Sequence, residues 1–326
     1  MDAIRAASPG EASVLQLHQT PDPVPGRGQL LVRPAAIGVN FIDTYFRTGS
    51  YPATFPLRPG LEGAGEVVAI GDGVQVHSVG DRVAWVSSVT GSYAQLVVVA
   101  QEMALPVPDG VELDVAAAAA LQALTVSMLV DGAAQVQPGQ NILLTAGAGG
   151  VGLLLTQVAA YLGARVITTV SSASKEQLSR RAGAADVLRY DRYSDMTGEL
   201  AAAVRDLTDG GVDIAFDGVG RTTFDGSLAS LRPRGELVVF GAASGPVPPV
   251  DIQRLNQAGS VSLTRPTMFH FIDDPDERAQ RWQQVCHWLT DGVVDVHIGA
   301  RFSLAEAAQA HRALEGRRTT GKVLLV

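Results

Sequence analysis

The segment from Asn141 to Gly163 constrains the fold of this chain more than any other. It comprises an apolar strand, a glycine-rich turn and the start of an apolar helix. Gly147, Gly149 and Gly152 match the pattern G-x-G-x-x-G. In that pattern one glycine allows a tight turn, one lets a pyrophosphate approach the backbone, and one lets the helix pack on the strand. A second apolar strand follows, so we predict a βαβ unit that binds a dinucleotide at the helix N-terminus. The residues predicted to contact its phosphates are Gly147, Gly149, Gly150, Val151 and Gly152.

The residues after the second strand indicate which dinucleotide is bound. An NAD site places Asp or Glu roughly 20 residues beyond the glycines, where the carboxylate binds the ribose 2′-hydroxyl. Here that position holds Ser171 and Ser172, and Lys175 follows. A 2′-phosphate is a dianion that needs hydroxyl donors and a cation, so the sequence favours NADPH. The alternative is that Lys175, Arg180 and Arg181 form a solvated helix face.

Length, charge and cysteine usage narrow the class of protein. A chain of 326 residues is long enough for two domains, and its net charge of -8 opposes general binding to nucleic acid or anionic membranes. Cys286 is the only cysteine, which excludes an intrachain disulfide. The apolar tract from Val115 to Val130 is interrupted by polar residues, and we interpret it as a buried helix too short to span a bilayer. With no signal-peptide pattern at the start, we expect a cytoplasmic protein.

The pattern of the chain changes near Asp114. Before it, short alternating runs and turns predict a compact β-barrel-like domain without a helical period. After it, an alanine-rich helix leads into alternating strands and helices, the signature of an α/β protein with a doubly wound parallel (Rossmann) sheet. The tail is too short for its own core, so we assign 1–124 and 266–326 to the β-rich domain and 125–265 to the cofactor domain. The predicted series is strand 141–145, helix 151–162, strand 165–170, helix 174–182, strand 186–189, helix 196–208, strand 212–216, helix 222–231 and strand 236–240, with a sixth strand near 260–264.

Several short motifs agree with one known family. They are Ala35-Ala-Ile-Gly-Val-Asn-Phe-Ile-Asp-Thr-Tyr, Gly49-Ser-Tyr-Pro, Pro59-Gly-Leu-Glu-Gly-Ala-Gly, Gly80-Asp-Arg-Val, Leu124-Thr, Ala146-Gly-Ala-Gly-Gly-Val-Gly, Phe216-Asp-Gly-Val-Gly, Phe240-Gly, Thr264-Arg-Pro and Arg317-Arg-Thr-Thr-Gly-Lys. In order and spacing they resemble the zinc-free NADPH:quinone oxidoreductases, related to zeta-crystallin, of the medium-chain dehydrogenase/reductase superfamily. The resemblance covers essentially the whole chain. It implies a GroES-like β-rich domain beside the Rossmann domain, with the reaction in the cleft between them.

The resemblance also bears on metal binding. Zinc alcohol dehydrogenases of this superfamily carry a catalytic Cys where this chain has Asn40 and a His where it has Leu61, and neither replacement binds zinc in the same way. A structural zinc would need four cysteines. Cys286 and His287 are adjacent and converge poorly on one metal, and Glu62 lacks partner ligands, so we predict no metal. The remaining histidines, which we expect at the surface or at helix caps, are His18, His77, His270, His297 and His311.

Without zinc, the reaction would depend on the nicotinamide and on the orientation of the reactants. Quinone carbonyls are already electrophilic and need less activation than an alcohol. By resemblance, Asn40, Tyr45 and Tyr51 are the polar groups of the cleft. Asn40 would bind the nicotinamide ribose or a substrate oxygen, and the tyrosines would stack on a planar ring or donate to a carbonyl. Alternatively, both tyrosines are packing residues. No dedicated general acid is visible, so water would supply protons.

The resemblance places further cofactor contacts at strand ends. Thr125 and the segment Thr264, Arg265 and Pro266 would lie near the nicotinamide, and Arg317 would reach back from the tail unless it is simply one charge of a basic loop. The segment before Asp217 is slightly longer than in relatives, which weakens the assignment of the residues that follow it. The other contacts implied are Ser171, Lys175 and Tyr190 for the 2′-phosphate and adenine ribose, Gly218 and Val219 beside the adenine, and Phe240 and Gly241 at the fifth strand.

Three functions fit these patterns. The first is NADPH-dependent reduction of a small electrophile such as a quinone. The second is reduction of an activated C=C bond in enones or alkenals, which the same scaffold supports and which no residue of the sequence distinguishes from the first. The third is a non-catalytic NADPH-binding protein. An open edge strand near 260–264, paired across a dimer axis in relatives, favours a homodimer.

Overall fold

The structure is a computed structural model that describes all 326 residues, and it divides into two compact units. The first unit comprises Met1–Gln122 and Val296–Val326, and the second comprises Ala123–Asp295. The first boundary lies close to the predicted one. The second boundary differs, because residues 266–295, which we had assigned to the β-rich domain, lie within the second unit.

The chain forms fifteen strands and nine α-helices. The strands are β1 (Asp2–Arg5), β2 (Gln16–Gln19), β3 (Gln29–Val39), β4 (Gly63–Ile70), β5 (Arg82–Trp85), β6 (Val97–Ala100), β7 (Leu105–Pro106), β8 (Asn141–Leu144), β9 (Arg165–Val170), β10 (Asp186–Arg189), β11 (Val212–Asp217), β12 (Leu231–Val239), β13 (Ser262–Thr264), β14 (Ile298–Phe302) and β15 (Lys322–Leu325). The helices are α1 (Phe41–Thr48), α2 (Leu113–Met128), α3 (Gly150–Tyr161), α4 (Ala173–Arg181), α5 (Gly198–Leu207), α6 (Phe224–Ala229), α7 (Gln253–Gln257), α8 (Pro275–Thr290) and α9 (Ala307–Glu315).

The first unit is built around one mixed sheet with the strand order β14-β15-β3-β4-β5-β7, in which β6 also pairs with β3. Only β14 and β15 run parallel, and every other pair is antiparallel. Strand β3 is the longest of these strands, with eleven residues. Its register with β4 shifts after Leu31 and after Pro34, and Pro34 has no N–H to donate to the ladder.

Helix α1 contradicts the expectation that the first domain has no helical segment. Asn40 precedes the helix, and its backbone N–H donates to the Asp43 carboxylate at 2.9 Å, which is one half of a capping box. Gly49, with φ 76°, ends the helix in the left-handed region. Because the helix has only eight residues, its period was hidden, but the Asn-x-x-Asp spacing was a usable signal.

The second unit contains a six-stranded sheet with the order β10-β9-β8-β11-β12-β13, and all its strands are parallel. Counted from β8, this is the order 3-2-1-4-5-6 of a doubly wound dinucleotide-binding sheet, so the predicted fold is confirmed. Leu143, Ala215 and Leu237 come from three neighbouring strands and are fully buried in one cluster. Strand β12 begins earlier than predicted, because α6 already ends at Ala229.

Helix α8 explains why residues 266–295 belong to the second unit. Gln284 of this helix accepts a hydrogen bond from the Ser127 hydroxyl at 2.6 Å, and Arg281 forms a salt bridge with Asp131 at 2.7 Å. Both partners lie in the stretch from α2 into the following π-helical turn. These polar contacts join segments far apart in sequence, which hydropathy patterns do not reveal.

The apolar helix that we predicted from Val115 to Val130 is longer than expected. Together with a π-helical turn, it runs over the 21 residues Leu113–Ala133, and an 18-residue window within it has a mean hydropathy of 1.8. By length and composition it is therefore long enough to cross a membrane, contrary to our expectation. However, 72% of this 18-residue window is buried within the protein, as in the core helix of a folded domain.

Candidate cofactor and active site

The turn after β8 is shaped by what surrounds its glycines. A Cβ on Gly147 would lie 2.5 Å from the Cβ of Thr168, and one on Gly152 would overlap the carbonyl oxygen of Ala146. At Gly149 the nearest atom would be the same Ala146 oxygen at 3.2 Å. Gly147 and Gly152 are therefore required by internal packing, whereas Gly149 leaves space for an external group to approach the backbone.

The start of α3 supplies unused backbone donors beside this turn. The first hydrogen bond of the helix runs from the Leu153 N–H to the Gly149 carbonyl at 2.9 Å. The N–H groups of Gly150, Val151 and Gly152 precede it and have no partner in the helix. Together with the positive end of the helix dipole, they form an arrangement that fits a pyrophosphate.

The end of β9 carries a hydroxyl and a cation side by side. The Lys175 ammonium donates to the Ser171 hydroxyl at 3.5 Å, and both side chains are partly buried. Ser172 caps α4 by accepting the Lys175 backbone N–H at 3.3 Å, which fixes the first turn of the helix. A hydroxyl donor and an ammonium at this strand end fit a 2′-phosphate.

The acidic residue nearest to Lys175 in the sequence, Glu176, is bound to arginines. Glu176 forms salt bridges with Arg180 at 3.0 Å and with Arg189 at 3.8 Å. Arg189 also binds Asp191, and this interaction raises the pKa of Arg189 above its ordinary value. Arg180 is thus part of an exposed ion-pair cluster, as the alternative interpretation of the basic helix face expected, whereas Lys175 contacts Ser171.

The other predicted contacts of the second unit follow the carboxyl ends of parallel strands, which meet at one edge of the sheet. Because Arg189 pairs with Val170, Tyr190 lies beside the chain that continues to Ser171. The register of Asp217 with Val239 likewise brings the next two loops together. The residues at this edge are Tyr190 after β10, Gly218 and Val219 after β11, Phe240 and Gly241 after β12, and Thr264, Arg265 and Pro266 at the end of β13.

Gly218 and Gly241 are in close contact across this edge. A Cβ on Gly218 would lie 2.7 Å from the ring of Phe240, and a Cβ on Gly241 would overlap the Gly218 carbonyl oxygen. The Thr125 hydroxyl contacts Met268 Sδ at 3.8 Å, so α2 touches the segment that follows β13. Thr125 therefore lies beside the segment that follows β13, the last strand of this edge.

Asp217 organises the loop that holds Gly218, a role that sequence reasoning missed. It is fully buried at the end of β11 and has no cationic partner. Its carboxylate is satisfied by neutral donors, which stabilise a buried charge. These donors are the N–H groups of Val219 at 2.8 Å and Gly220 at 2.9 Å and the hydroxyls of Thr145 at 3.3 Å, Thr223 at 2.7 Å and Ser227 at 2.8 Å.

The contact between Thr145 and Asp217 spans the point where the strand order of the sheet reverses. Thr145 directly follows β8, and Asp217 ends the neighbouring strand β11. Thr145 also accepts the Gly218 N–H at 3.0 Å. Ligands of open parallel sheets bind outside the strands at this reversal, so Asp217 shapes the place where a dinucleotide is expected.

In the first unit, Tyr45 and Tyr51 pack against each other. Their ring centroids are 5.1 Å apart, and the Tyr51 ring also meets Phe46 edge-on at 5.9 Å. Both tyrosines are partly buried. This arrangement supports the packing interpretation of these residues and leaves their contact with a substrate a prediction.

Arg317 lies in the exposed turn after α9. Its backbone adopts φ 56°, in the left-handed region, and its N–H donates to the Leu314 carbonyl at 3.0 Å. A non-glycine residue in this conformation is uncommon and ends the helix at a defined point. Its predicted contact with a cofactor stays a prediction.

Asn40 belongs to a buried polar triad with Glu62 and Lys322, two residues to which the sequence analysis gave no role in the site. The Lys322 ammonium donates to Asn40 Oδ1 at 2.8 Å and forms a salt bridge with Glu62. Asn40 Nδ2 donates to the same Glu62 oxygen at 2.6 Å. The second Glu62 oxygen accepts the Leu121 N–H at 2.7 Å, so the carboxylate is fully engaged.

The triad does not fit a catalytic zinc. Its carboxylate and its amide oxygen both face an ammonium, and a divalent cation placed there would meet a like charge. Leu61, beside Glu62, has no ligand atom. No group of three or more His, Cys, Asp or Glu side chains in the structure is placed to hold a metal ion.

A second buried chain of hydrogen bonds runs from α1 to α9. Arg47 binds Glu315 through both terminal nitrogens, at 2.6 and 3.0 Å, and lies 3.2 Å from His311 Nδ1. His311 Nε2 is 3.0 Å from the Tyr93 hydroxyl, which donates to Asp43 at 3.1 Å. Because arginine only donates, His311 Nδ1 accepts and His311 Nε2 carries the proton. Arg47 therefore donates to His311, His311 to Tyr93, and Tyr93 to Asp43.

Burial shifts the pKa values of the groups in this chain. It raises the pKa of the Asp43 carboxyl to about 7, with Lys322 and Tyr93 acting in the opposite direction, and one Asp43 oxygen is buried without a partner. Burial and the Arg47 charge lower the pKa of His311 to about 3, and burial beside Asp43 raises the pKa of Tyr93 well above its ordinary value. Our expectation that His311 is a surface or cap residue is therefore wrong, because it is fully buried.

Two family profiles match this chain. Residues 26–109 match the alcohol dehydrogenase GroES-like domain, and residues 150–298 match the zinc-binding dehydrogenase domain. The first match lies in the β-rich unit and confirms its predicted GroES-like character. The second begins at the start of α3.

A quinone oxidoreductase of Pseudomonas aeruginosa is 41% identical over 325 residues, which cover 99% of this chain and 98% of that protein. The chain belongs to the quinone oxidoreductases of the medium-chain dehydrogenase/reductase superfamily. A solved structure of a mycobacterial protein complexed with NADPH is 49% identical to the present chain, with a TM-score of 0.97 and full coverage of both chains. A 2-haloacrylate reductase of Burkholderia sp. is 35% identical over 93% of this chain and 92% of its own length.

The titrating pair Asp43 and His311 predicts two opposite pH dependences of stability. The folded protein keeps the Asp43 proton up to about pH 7, against an ordinary pKa of 3.8, so this group lowers stability as pH rises through that interval. The folded protein keeps His311 neutral down to about pH 3, against an ordinary pKa of 6.5, so this group raises stability as pH rises. The two effects oppose each other from about pH 4 to pH 6.5.

Single substitutions should separate the two effects. For each variant, the quantity to follow is its free energy of unfolding minus that of the parent protein. For Asp43→Asn we expect this difference to increase with pH in the overlap interval, by at most about 1.4 kcal/mol per pH unit. For His311→Gln this difference should decrease with pH. Urea unfolding followed by circular dichroism at several pH values measures both. Differences of the same sign in the two variants would contradict the assignment.

The glycine turn should respond differently at its second and third glycines. Gly152→Ala should lower the free energy of unfolding by about 1–3 kcal/mol, because the new methyl overlaps Ala146. Gly149→Ala should change stability by less than about 1 kcal/mol and weaken NADPH binding at least about tenfold, because its methyl points into the approach to the backbone. Unfolding without cofactor and calorimetric NADPH titration give the two values. Unchanged NADPH affinity in Gly149→Ala would exclude the pyrophosphate from this turn.

Proposed function

We propose that this quinone oxidoreductase uses NADPH to reduce quinones without a metal. The observation that carries the proposal is the Ser171 and Lys175 pair at the end of β9, beside a glycine turn with unused backbone donors. The pair offers a 2′-phosphate a hydroxyl and a cation, and no acid stands in its place. When bound, NADPH supplies the reducing equivalents from its nicotinamide.

Most of the residues that would hold the cofactor lie at the carboxyl edge of the parallel sheet. The turn and the start of α3 would bind the pyrophosphate, and Tyr190, Gly218 and Val219 would border the adenosine part. Phe240, Gly241, Thr125 and the segment from Thr264 to Pro266 would border the nicotinamide part, and Arg317 would contribute a charge from the tail. The contacts around Asp217, which fix the loop at Gly218, support this assignment.

Quinones suit a site without a Lewis acid. Their carbonyls are electrophilic, so the protein has to orient the substrate, exclude water and bind the oxygen where charge develops. Asn40 is the amide donor that we assign to this oxygen. Tyr45 and Tyr51, already packed ring against ring, would offer a planar substrate an aromatic surface. Water would supply the proton.

We also propose a cytoplasmic homodimer that binds neither nucleic acid nor membrane. Strand β13 is an edge of the six-stranded sheet, and an edge strand can pair with a second copy. The net charge of -8 opposes binding to polyanions.

Reduction of an activated C=C bond is the second candidate, and the 35% identity to a 2-haloacrylate reductase favours it. The same elements would serve, since a donor on the carbonyl oxygen also stabilises the charge that develops when an enone is reduced at its β-carbon. The structure offers no residue that separates the two substrates.

Measurements of turnover with different electrophiles distinguish the candidate functions. NADPH and NADH oxidation should be measured with para- and ortho-quinones and with 2-alkenals. We expect quinones to be reduced faster than alkenals, and NADPH to be preferred over NADH. Faster alkenal reduction would move the assignment to the second candidate, and tight NADPH binding without turnover of any electrophile would leave a non-catalytic NADPH-binding protein.

Lys175→Ala should reduce the preference for NADPH. Loss of a charge-assisted contact with the 2′-phosphate is worth about 1.5–3 kcal/mol, which corresponds to a roughly tenfold to hundredfold rise in KM for NADPH. KM for NADH should not change, because NADH lacks that phosphate. Arg180→Ala is the matched control, since Arg180 lies on the same helix and is bound to Glu176. Equal effects of Lys175→Ala on both cofactors would place the 2′-phosphate elsewhere.

A further inference from the structure

We infer that Lys322 is a positioning residue for the reaction, which fixes and polarises the Asn40 amide so that one Asn40 N–H donates to the oxygen of the electron acceptor. This inference rests on the proposed function. It adds a role for a lysine that lies in the last strand of the chain.

Strand pairing brings the three members of the triad together. Val323 of β15 is paired with Val39 of β3, so Lys322 lies opposite Asn40 in the antiparallel register. On the other side of β3, the Gly38 N–H donates to the backbone carbonyl of Glu62 at 3.3 Å. Lys322, Asn40 and Glu62 therefore meet because β3 lies between β15 and β4, and their geometry is set by the sheet.

The charges on either side of Asn40 decide which way its amide points. Oδ1 faces the Lys322 ammonium and Nδ2 faces the Glu62 carboxylate. The flipped amide would place its NH₂ group against an ammonium and its carbonyl against a carboxylate, so two attractive contacts would become two repulsive ones. The orientation is thus fixed by electrostatics, and it requires both charged partners.

One N–H of Asn40 is left for a ligand. The Asn40 amide has two N–H donors, and Glu62 accepts one. Glu62 and Lys322 are 0% and 1% exposed, whereas Asn40 is 6% exposed, so Asn40 is the least buried member of the triad. The Lys322 charge on Oδ1 withdraws electrons from the amide and makes the remaining N–H a stronger donor.

The remaining N–H suits the chemistry proposed for this protein. As a quinone or an enone accepts electrons, negative charge develops on its oxygen, and a fixed donor in a dry site stabilises that charge more than the neutral carbonyl. The proton that completes the reduction comes from water. Lys322 would thus act through Asn40 and would not itself touch the substrate.

The main test is the double variant Glu62→Gln with Lys322→Met, which removes both charges and avoids an unpaired buried carboxylate. We expect kcat with a quinone to fall at least about tenfold, while KM for NADPH stays within about twofold, because the amide loses its orientation but the cofactor contacts do not change. Lys322→Arg keeps a donor and a charge and should retain most of the kcat. Circular dichroism and thermal unfolding check that each variant is folded.

A folded double variant with the kcat of the parent protein would overturn the inference, and so would an equal loss in kcat and in NADPH affinity. If the double variant does not fold, the test is made on the parent protein, by recording the ¹⁵N-resolved NMR signals of the Asn40 side chain. In a complex with NADP⁺ and duroquinone, which does not turn over, one Nδ2 proton should shift on quinone binding, and an unchanged signal would overturn the inference. A parent protein that binds NADPH and reduces no quinone would instead contradict the proposed function.

Discussion

The contact of Lys322 with Asn40 and Glu62 joins the end of this chain to its beginning. The pairing of β15 with β3 buries this lysine. Its burial is tolerated because the ammonium binds an amide oxygen and a carboxylate. Asn40 directly precedes helix α1, so the same contact determines where the first polar group of the candidate active site lies. The packing of the β-rich unit and the arrangement of its polar residues therefore have one common cause.

The second unit meets the same demand, the burial of polar groups at a strand end, in a different way. Asp217 is a buried carboxylate held by backbone N–H groups and hydroxyls, with no cation nearby. Such a solution needs no internal salt bridge, and the positive end of the α3 dipole stays the local potential that suits phosphates. Glu62 in the first unit and Asp217 in the second are thus both buried carboxylates that fix residues assigned to function, Asn40 and the loop at Gly218.

Local sequence patterns predicted the doubly wound sheet, the glycine turn and the pair of Ser171 with Lys175, because strand, turn and helix of a βαβ unit are contiguous in sequence. The patterns did not predict the triad or the role of His311. Nothing in the sequence around Lys322 or Glu62 marks either residue as part of a site. Only the pairing of β15 with β3 shows that Lys322 lies opposite Asn40. Residues 266–295 were assigned to the other domain for the same reason, since the contacts of α8 with Ser127 and Asp131 connect distant segments.

An ammonium bound to an amide and a carboxylate limits the chemistry available at Asn40. A zinc ion polarises an unactivated carbonyl or stabilises an alkoxide directly, whereas Lys322 can act on a substrate only through the amide dipole of Asn40. The assistance is therefore weaker, and the substrate has to contribute its own electrophilicity. Quinones and α,β-unsaturated carbonyl compounds both meet that condition and simple ketones do not.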